Sequence, residues 1–375
     1  MRHGDAPSDP DAFGAGRVLE LIRDRDTTTR AELVRETGLS RSTLAKRVQD
    51  LLQLDLVREV EGHASTGGRP PATLVFNREA GYVLAADIGV ARTRAAACDL
   101  AGEPRVERMV PMGVGSGPAE AVLRAVRRCF EELLAAEGAD VGVVRGVGVG
   151  LAPGWEGVSL AGRLGPADAI PALVESQVNT MALGEHRTHW RDAEHLLFVE
   201  MGATVRCGIV SGRRIHRGAQ GSAGDIAHVR IPGHDHVVCR CGSTGCLDAV
   251  AGGAALAARL GVADTVAVTA LVQAGEPRAV QALREAGRAL GAVLALCINF
   301  YNPGAIVIGG ELAETHQHLL VGAHEVAFAR SPPMATRDLK LHPSRLGDRA
   351  GLVGAATMVA DHLLAPERVD AMAVG

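Results

Sequence analysis

Lysine is almost missing from this 375-residue chain: Lys46 and Lys340 stand alone, so arginine carries the positive charge. Aromatic residues make up 3%, with two Trp and two Tyr, which argues against the stacking platforms that hold single-stranded nucleic acid. Long hydrophobic runs are absent too. The longest apolar stretch, Ala289 to Ile298, gives way to Asn299, Asn302 and Pro303; it is too short to span a bilayer and reads as a buried helix, so no membrane partner is expected. The start, Met-Arg-His-Gly-Asp-Ala-Pro-Ser-Asp-Pro, is polar and lacks the apolar core of a secretory signal. Cysteine is odd in number at seven, and Cys98, Cys129, Cys207 and Cys297 are scattered, which is the usage of a cytoplasmic protein and not of a disulfide framework. A formal net charge of -4 excludes a polycation, so any nucleic-acid contact must come from a local patch. With 47% hydrophobic and 22% charged residues, the chain should bury a large core, and its length allows two or three domains.

What is present is sharper. Cys239, Cys241 and Cys246 form a C-x-C-x4-C knot with His228 just upstream, four soft donors of the kind tetrahedral zinc prefers. Gly242 and Gly245 allow the short loop to turn tightly. Such a closed site builds structure and leaves no open position for hydrolysis. His234 and His236 are further candidates for the fourth ligand.

Residues 14–78 read as a winged helix-turn-helix. Val18, Leu19, Leu21 and Ile22 mark a first helix; Thr29 and Glu32 have capping-box spacing at the start of a second, which Gly38 ends. Ser40 caps a third helix through Leu52, with Leu44, Val48, Leu51 and Leu52 facing inward. Its other face carries Arg41, Ser42, Thr43, Lys46 and Arg47, suited to a major groove: Ser40 to Thr43 toward base edges, Lys46 and Arg47 toward phosphates. Leu56 to Val60 and Ala72 to Phe76 alternate as strands of a wing, in which Pro70 and Pro71 hold Arg69 in a stiff frame suited to a minor groove. Residues 1–80 are not basic overall, but Arg41, Lys46, Arg47, Arg58 and Arg69 fall on groove-facing elements.

From residue 82 to 365 the pattern becomes Gly/Ala/Val-rich strands mixed with helices, an α/β body of two lobes around a cleft. Strands are predicted over 82–90, 94–100, 143–151, 195–200, 207–210 and 305–308, and helices over 119–136 and 278–297.

Taken in order, the winged helix, Asp87-Ile88-Gly89, Ala152-Pro153-Gly154, Glu175 to Glu185, Ala223 to His228, the cysteine knot and Gly309-Gly310 resemble the ROK family of repressors and sugar kinases over nearly the whole chain. The resemblance implies an actin/hexokinase-like body, and the front domain resembles that of the regulator branch, which includes xylose and N-acetylglucosamine repressors. ROK kinases carry Glu-Asn-Asp-x-Asn, whose aspartate takes the proton from the sugar hydroxyl; here the stretch is Glu175-Ser176-Gln177-Val178-Asn179. An amide cannot serve as general base. Val90, Thr204 and Arg206 likewise stand where the kinases have phosphate-binding loops of glycine and threonine, so ATP use is not expected.

By the same resemblance, Gly154, Ser176, Gln177, Asp225, His228 and Asp248 are the positions that would hold a sugar or sugar-derived effector. The expectation is a transcriptional repressor of carbohydrate-related genes, a homodimer or dimer of dimers on a palindromic double-stranded operator, with structural zinc. Its rivals are an active ATP-dependent sugar kinase with an accessory DNA module, and a regulator that docks another protein and takes no small ligand.

Overall fold

The computed structural model describes residues 13–25, 27–60, 72–155, 160, 163–164, 170–315 and 317–374. At the front, α1 (Ala15–Arg23), β1 (Thr28–Thr29), α2 (Arg30–Thr37), α3 (Arg41–Gln53), β2 (Val57–Val60) and β3 (Thr73–Phe76) make a small head. The α2 start is set locally. Thr29 accepts from the Glu32 backbone N–H while the Glu32 carboxylate accepts from the Thr29 N–H, so two orphan donors are satisfied reciprocally. Gly38 closes the helix at φ 70°, a conformation glycine adopts without Cβ strain. Val18, Leu19, Ile22, Leu33, Leu44, Val48, Leu51 and Leu74 form the core, while Leu21 and Leu52 are only half-buried. The two expected wing strands pair antiparallel, and β1 adds a third against β3. A two-residue strand is too short to leave a periodic signal.

The body follows as β4 (Tyr82–Ile88), β5 (Thr93–Asp99), β6 (Pro104–Val110), α4 (Ala119–Ala136), β7 (Val144–Leu151), β8 (Ala172–Ser176) and α5 (Gln177–His189). Then come β9 (His195–Met201), β10 (Val205–Ser211), β11 (Arg214–Ile215), α6 (Leu247–Ala251), α7 (Gly253–Leu260), α8 (Thr265–Gln273) and α9 (Pro277–Tyr301). The chain closes with β12 (Ala305–Gly309), α10 (Gln317–Ala329), α11 (Pro333–Thr336), β13 (Lys340–Pro343), α12 (Ala350–Leu363) and α13 (Pro366–Val374). Two five-stranded sheets result, ordered β6-β5-β4-β7-β8 and β11-β10-β9-β12-β13, each with antiparallel hairpin strands on one side and parallel crossovers on the other. This is the mixed α/β two-lobed body expected; the sequence pattern had not marked β6, β8, β11 or β13.

Helices α5 and α12 pack between the sheets at a separation only glycine permits. A Cβ at Gly354 would lie 1.7 Å from the Thr180 carbonyl oxygen, and one at Gly184 would lie 2.3 Å from that of Ala350. Among the described residues no single helix is long and apolar enough to cross a membrane; the bent pair α7 and α8 passes such a test together but contributes Leu256, Ala257, Val268 and Val272 to the buried core.

Head and body share a packed junction. Helix α1 lies against α13, where the Gly16 N–H donates to Asp370 (2.8 Å) and a Cβ at Gly16 would meet the Pro366 carbonyl oxygen at 2.2 Å. Arg23 of α1 and Arg187 of α5 both reach Asp361 of α12, at 3.2 and 2.6 Å. In an open helix Gly→Ala stabilises by up to about 1 kcal/mol. Here overpacking against backbone, typically about 1–3 kcal/mol, should win. Gly16→Ala is therefore expected to lower the melting temperature in a thermal unfolding scan, and an increase would mean that the junction is not this close.

Candidate functional site

The exposed face of α3 is built by its cap. Ser40 accepts from the Thr43 N–H at 3.0 Å, and its hydroxyl lies 2.9 Å from those of Ser42 and Thr43, a web of small donors at the helix start. Arg41, Ser42 and Lys46 are exposed, while Thr43 and Arg47 are half-buried. Among the described residues Arg41 and Lys46 make no ion pair. Most neighbouring cations of the head are neutralised: Arg17 by Glu20, Arg25 by Glu36, Arg30 by Glu59, and Arg58 by Glu79 and Asp55. Among the described residues, free positive charge of the head thus lies on α3 and on Arg35 of α2. Arg47 departs from the simple outward picture, since its Nε is buried without a partner among the described residues. Arg69 lies outside the described residues.

The cysteine knot folds as two short antiparallel segments. Asp248 N–H donates to Ala227, Leu247 N–H to Val229 and Ile231 N–H to Gly245, which brings Cys246 back beside His228. The intervening turn needs Gly242 at φ 87° and Gly245 at φ 71°. His228, Cys239, Cys241 and Cys246 place all four donor atoms within 4.8 Å of one another, so the cluster could hold a metal. The spacing discriminates further. Sγ of Cys241 and Cys246 lie 3.7 Å apart, as do Cys239 Sγ and His228 Nδ1. A disulfide would need ~2.05 Å, whereas tetrahedral zinc with bonds of ~2.0–2.3 Å separates its ligands by about 3.5–3.8 Å. His234 and His236, whose rings stack 6.2 Å apart, fall outside the four-donor group. Burial pushes the Cys246 thiol up to about 12, while the Ser243 backbone bond lowers Cys241; a bound cation would offset the first by favouring thiolate.

Between the lobes lies a cavity of about 540 Å³. Its interior is crossed by one chain of polar contacts. Gln177 Nε2 donates to Asp87 (2.9 Å), Arg206 Nη2 donates to Gln177 Oε1 (2.9 Å), and Arg206 pairs with Glu200 at 2.6 Å. All four side chains are largely buried, and burial pushes Asp87 up to about 7 against the lowering effect of the Gln177 amide. Val90, Thr204 and Arg206, the residues standing in the loops of glycine and threonine, all line this cavity. Arg206 is the largest of the three, and it is held by an acid and an amide.

Of the six effector positions, Gln177 lines that cavity; Gly154, Ser176, Asp225, His228 and Asp248 do not. Gly154 and Ser176 are exposed, Gly154 at φ 129°, and Asp225 is exposed as well. Asp248 is buried and already committed, accepting from the Val205 N–H at 2.8 Å and pairing with Arg240 at 3.3 Å. Sequence reasoning missed Glu185. Fully buried, it accepts from Ser344 Oγ and from the Arg345 and Leu346 N–H groups, and so fixes a wall of the cavity. An acid next to the small apolar run Met181 to Gly184 was the available signal. Glu175 is similar, tied to Asn179 within its lobe and to Arg217 of the other.

Comparison with known proteins places these features in context. Residues 83–362 match the model of the ROK family, and residues 16–58 match that of a winged helix-turn-helix DNA-binding family. The xylose repressor of Caldicellulosiruptor bescii is 27% identical over 92% of this chain and 95% of its own. Among solved structures, a ROK family transcriptional regulator, homolog of the E. coli MLC protein, is 25% identical with a TM-score of 0.79, covering 96% of this chain and 98% of that one. A ROK family glucokinase from Streptomyces griseus, solved with glucose and AMPPNP, is 26% identical with a TM-score of 0.62, covering 74% of this chain and 99% of that one.

Proposed function

The chain belongs to the ROK family, and from that premise we propose that it is a DNA-binding transcriptional repressor of carbohydrate-related genes. The carrying observation is the unpaired Arg41 and Lys46 on an exposed recognition helix in a head that the repressor relatives also span. In this reading Ser40 to Thr43 meet base edges, Lys46 and Arg47 meet phosphates, and Arg69, outside the described residues, is assigned to the minor groove from the sequence. One such head offers too few contacts for the ~10⁻⁸–10⁻¹¹ M affinity of specific binding, so a homodimer or dimer of dimers reads a palindromic operator in the cytoplasm.

In this reading the body senses without catalysing. Gln177 stands in the place of the general base, a loss of about 10²–10⁴-fold in rate by itself. Arg206, held by Gln177 and Glu200, puts a bulky cation on the cavity wall, which supports a body that does not take a nucleotide. Zinc, held by His228, Cys239, Cys241 and Cys246, supplies structure: it fixes the loop that carries Asp225 and His228 beside the cleft. The effector is a sugar or sugar-derived compound met by Gln177 in the cavity; Gly154, Ser176, Asp225, His228 and Asp248 are assigned to it by the family resemblance, although they do not line that cavity. Helix α5 offers a route outward, since it begins at Gln177 and ends where Arg187 shares Asp361 with Arg23 of the head. Closure of the lobes needs to change operator affinity by only ~1–3 kcal/mol to regulate.

A mobility shift on the DNA upstream of its own gene tests the core of this reading; indifference to every duplex sinks it. The rival enzyme is tested separately. Given ATP and a panel of hexoses in a coupled assay, the protein is expected to show no turnover, and phosphate transfer abolished by Gln177→Ala would reverse the assignment.

A further inference from the structure

A second cavity, about 900 Å³, opens where the head meets the body, within the range of ~300–1,000 Å³ usual for small-molecule sites and at the kind of junction they favour. Eight arginines line it against five carboxylates. Most of those arginines are already spent: Arg23 and Arg187 on Asp361, Arg25 on Glu36, Arg78 on Asp99, and Arg217 on Glu175. Arg191, Arg213 and Arg214 are not. All three are exposed and, among the described residues, none makes an ion pair; Arg191 reaches only the Arg187 carbonyl. Arg187 Nε is buried there without a partner.

The presentation of Arg213 is unusual. It sits with Gly212 in the two-residue turn joining β10 to β11, at φ 65°, where glycine or asparagine is the ordinary choice. A long cation in that conformation carries a steric cost that glycine avoids. The positive field is felt nearby as well: burial lowers the His186 pKa, and Arg187, Arg213 and Arg191 push it the same way.

We propose that this groove binds a small, multiply charged phosphate compound, held by Arg191, Arg213 and Arg214 from the body. Guanidinium forks match phosphate oxygens with paired charge-assisted bonds. Leu183, Val353 and Phe76 give the organic part an apolar wall. Because Arg23 and Phe76 belong to the head and Arg213 and Arg214 to the body, an occupant touches both units at once. The site is separate from the cleft of Gln177, and its existence does not depend on the DNA reading.

Titration calorimetry of the full chain with inorganic pyrophosphate at low ionic strength tests it, against the double variant Arg213→Gly, Arg214→Ala. Glycine preserves the left-handed turn, so the variant should fold. One pyrophosphate is expected per chain, with affinity reduced about tenfold or more in the variant. Absence of binding to the wild type, or equal affinity in the variant, overturns the proposal. So does an equal loss of affinity for a random-sequence duplex, which would make the groove part of the DNA track. Pyrophosphate binding by a chain that ignores DNA would support the groove and reject the repressor.

Discussion

Arg41→Ala is expected to cost about 2–6 kcal/mol of operator affinity in a dimer, since each head loses a base contact of ~1–3 kcal/mol. The operator complex would weaken by roughly 30-fold to 10⁴-fold, with most of the loss at the base pairs Arg41 reads. Lys46→Ala should act differently. A phosphate contact carries no sequence information, so affinity should fall for all duplexes, and the slope of log affinity against log salt should flatten by about 1 per head. Fluorescence anisotropy over a salt series separates the two patterns. Arg17→Ala is the internal control: Arg17 is exposed on α1 and already paired with Glu20, so its removal should fall within about 0.5 kcal/mol of wild type. If Arg41→Ala and Lys46→Ala behave like that control, α3 does not enter a groove.

The second large effect concerns the knot. Cys241→Ser, or a chelator, is expected to remove about one equivalent of zinc per chain and to destabilise the body by more than about 4 kcal/mol, the range associated with lost metals. For a body of this size that corresponds to a fall of roughly 5–15 °C in Tm. Metal analysis by mass spectrometry and a melting scan give the two readouts. His234→Ala and His236→Ala should leave the zinc content unchanged, because both lie outside the group of four donors. Loss of metal from either histidine variant, with retention in Cys241→Ser, would reject the ligand set.

Local chemistry was legible in the chain, and long-range pairing was not. The Thr29–Glu32 box and the Gly38 stop involve residues three to nine positions apart, so their geometry follows from spacing. The knot likewise compresses three thiols into eight positions, and His228 is the histidine whose donor atom lies with them. The cleft shows the opposite. Arg206 could be seen as bulk in place of glycine, but its partners Gln177 and Glu200 are chosen by how β9, β10 and α5 pack. Asp248 could be seen as an acid after the knot, yet only the fold brings the Val205 N–H and Arg240 to it. Arg47 shared the outward helical face by periodicity, and burial of its Nε is a tertiary outcome.

The polar chain from Asp87 to Glu200 also constrains what position 177 can hold. An acid at position 177 would remove the amide N–H that Asp87 accepts and set a second carboxylate near a buried one, which drives one of the two toward its neutral form. Arg206, still paired with Glu200, would then bind the newcomer as a counter-ion and suppress the basicity that proton abstraction requires. A base at position 177 would therefore need the guanidinium at position 206 exchanged along with the amide, so the two side chains act as one unit.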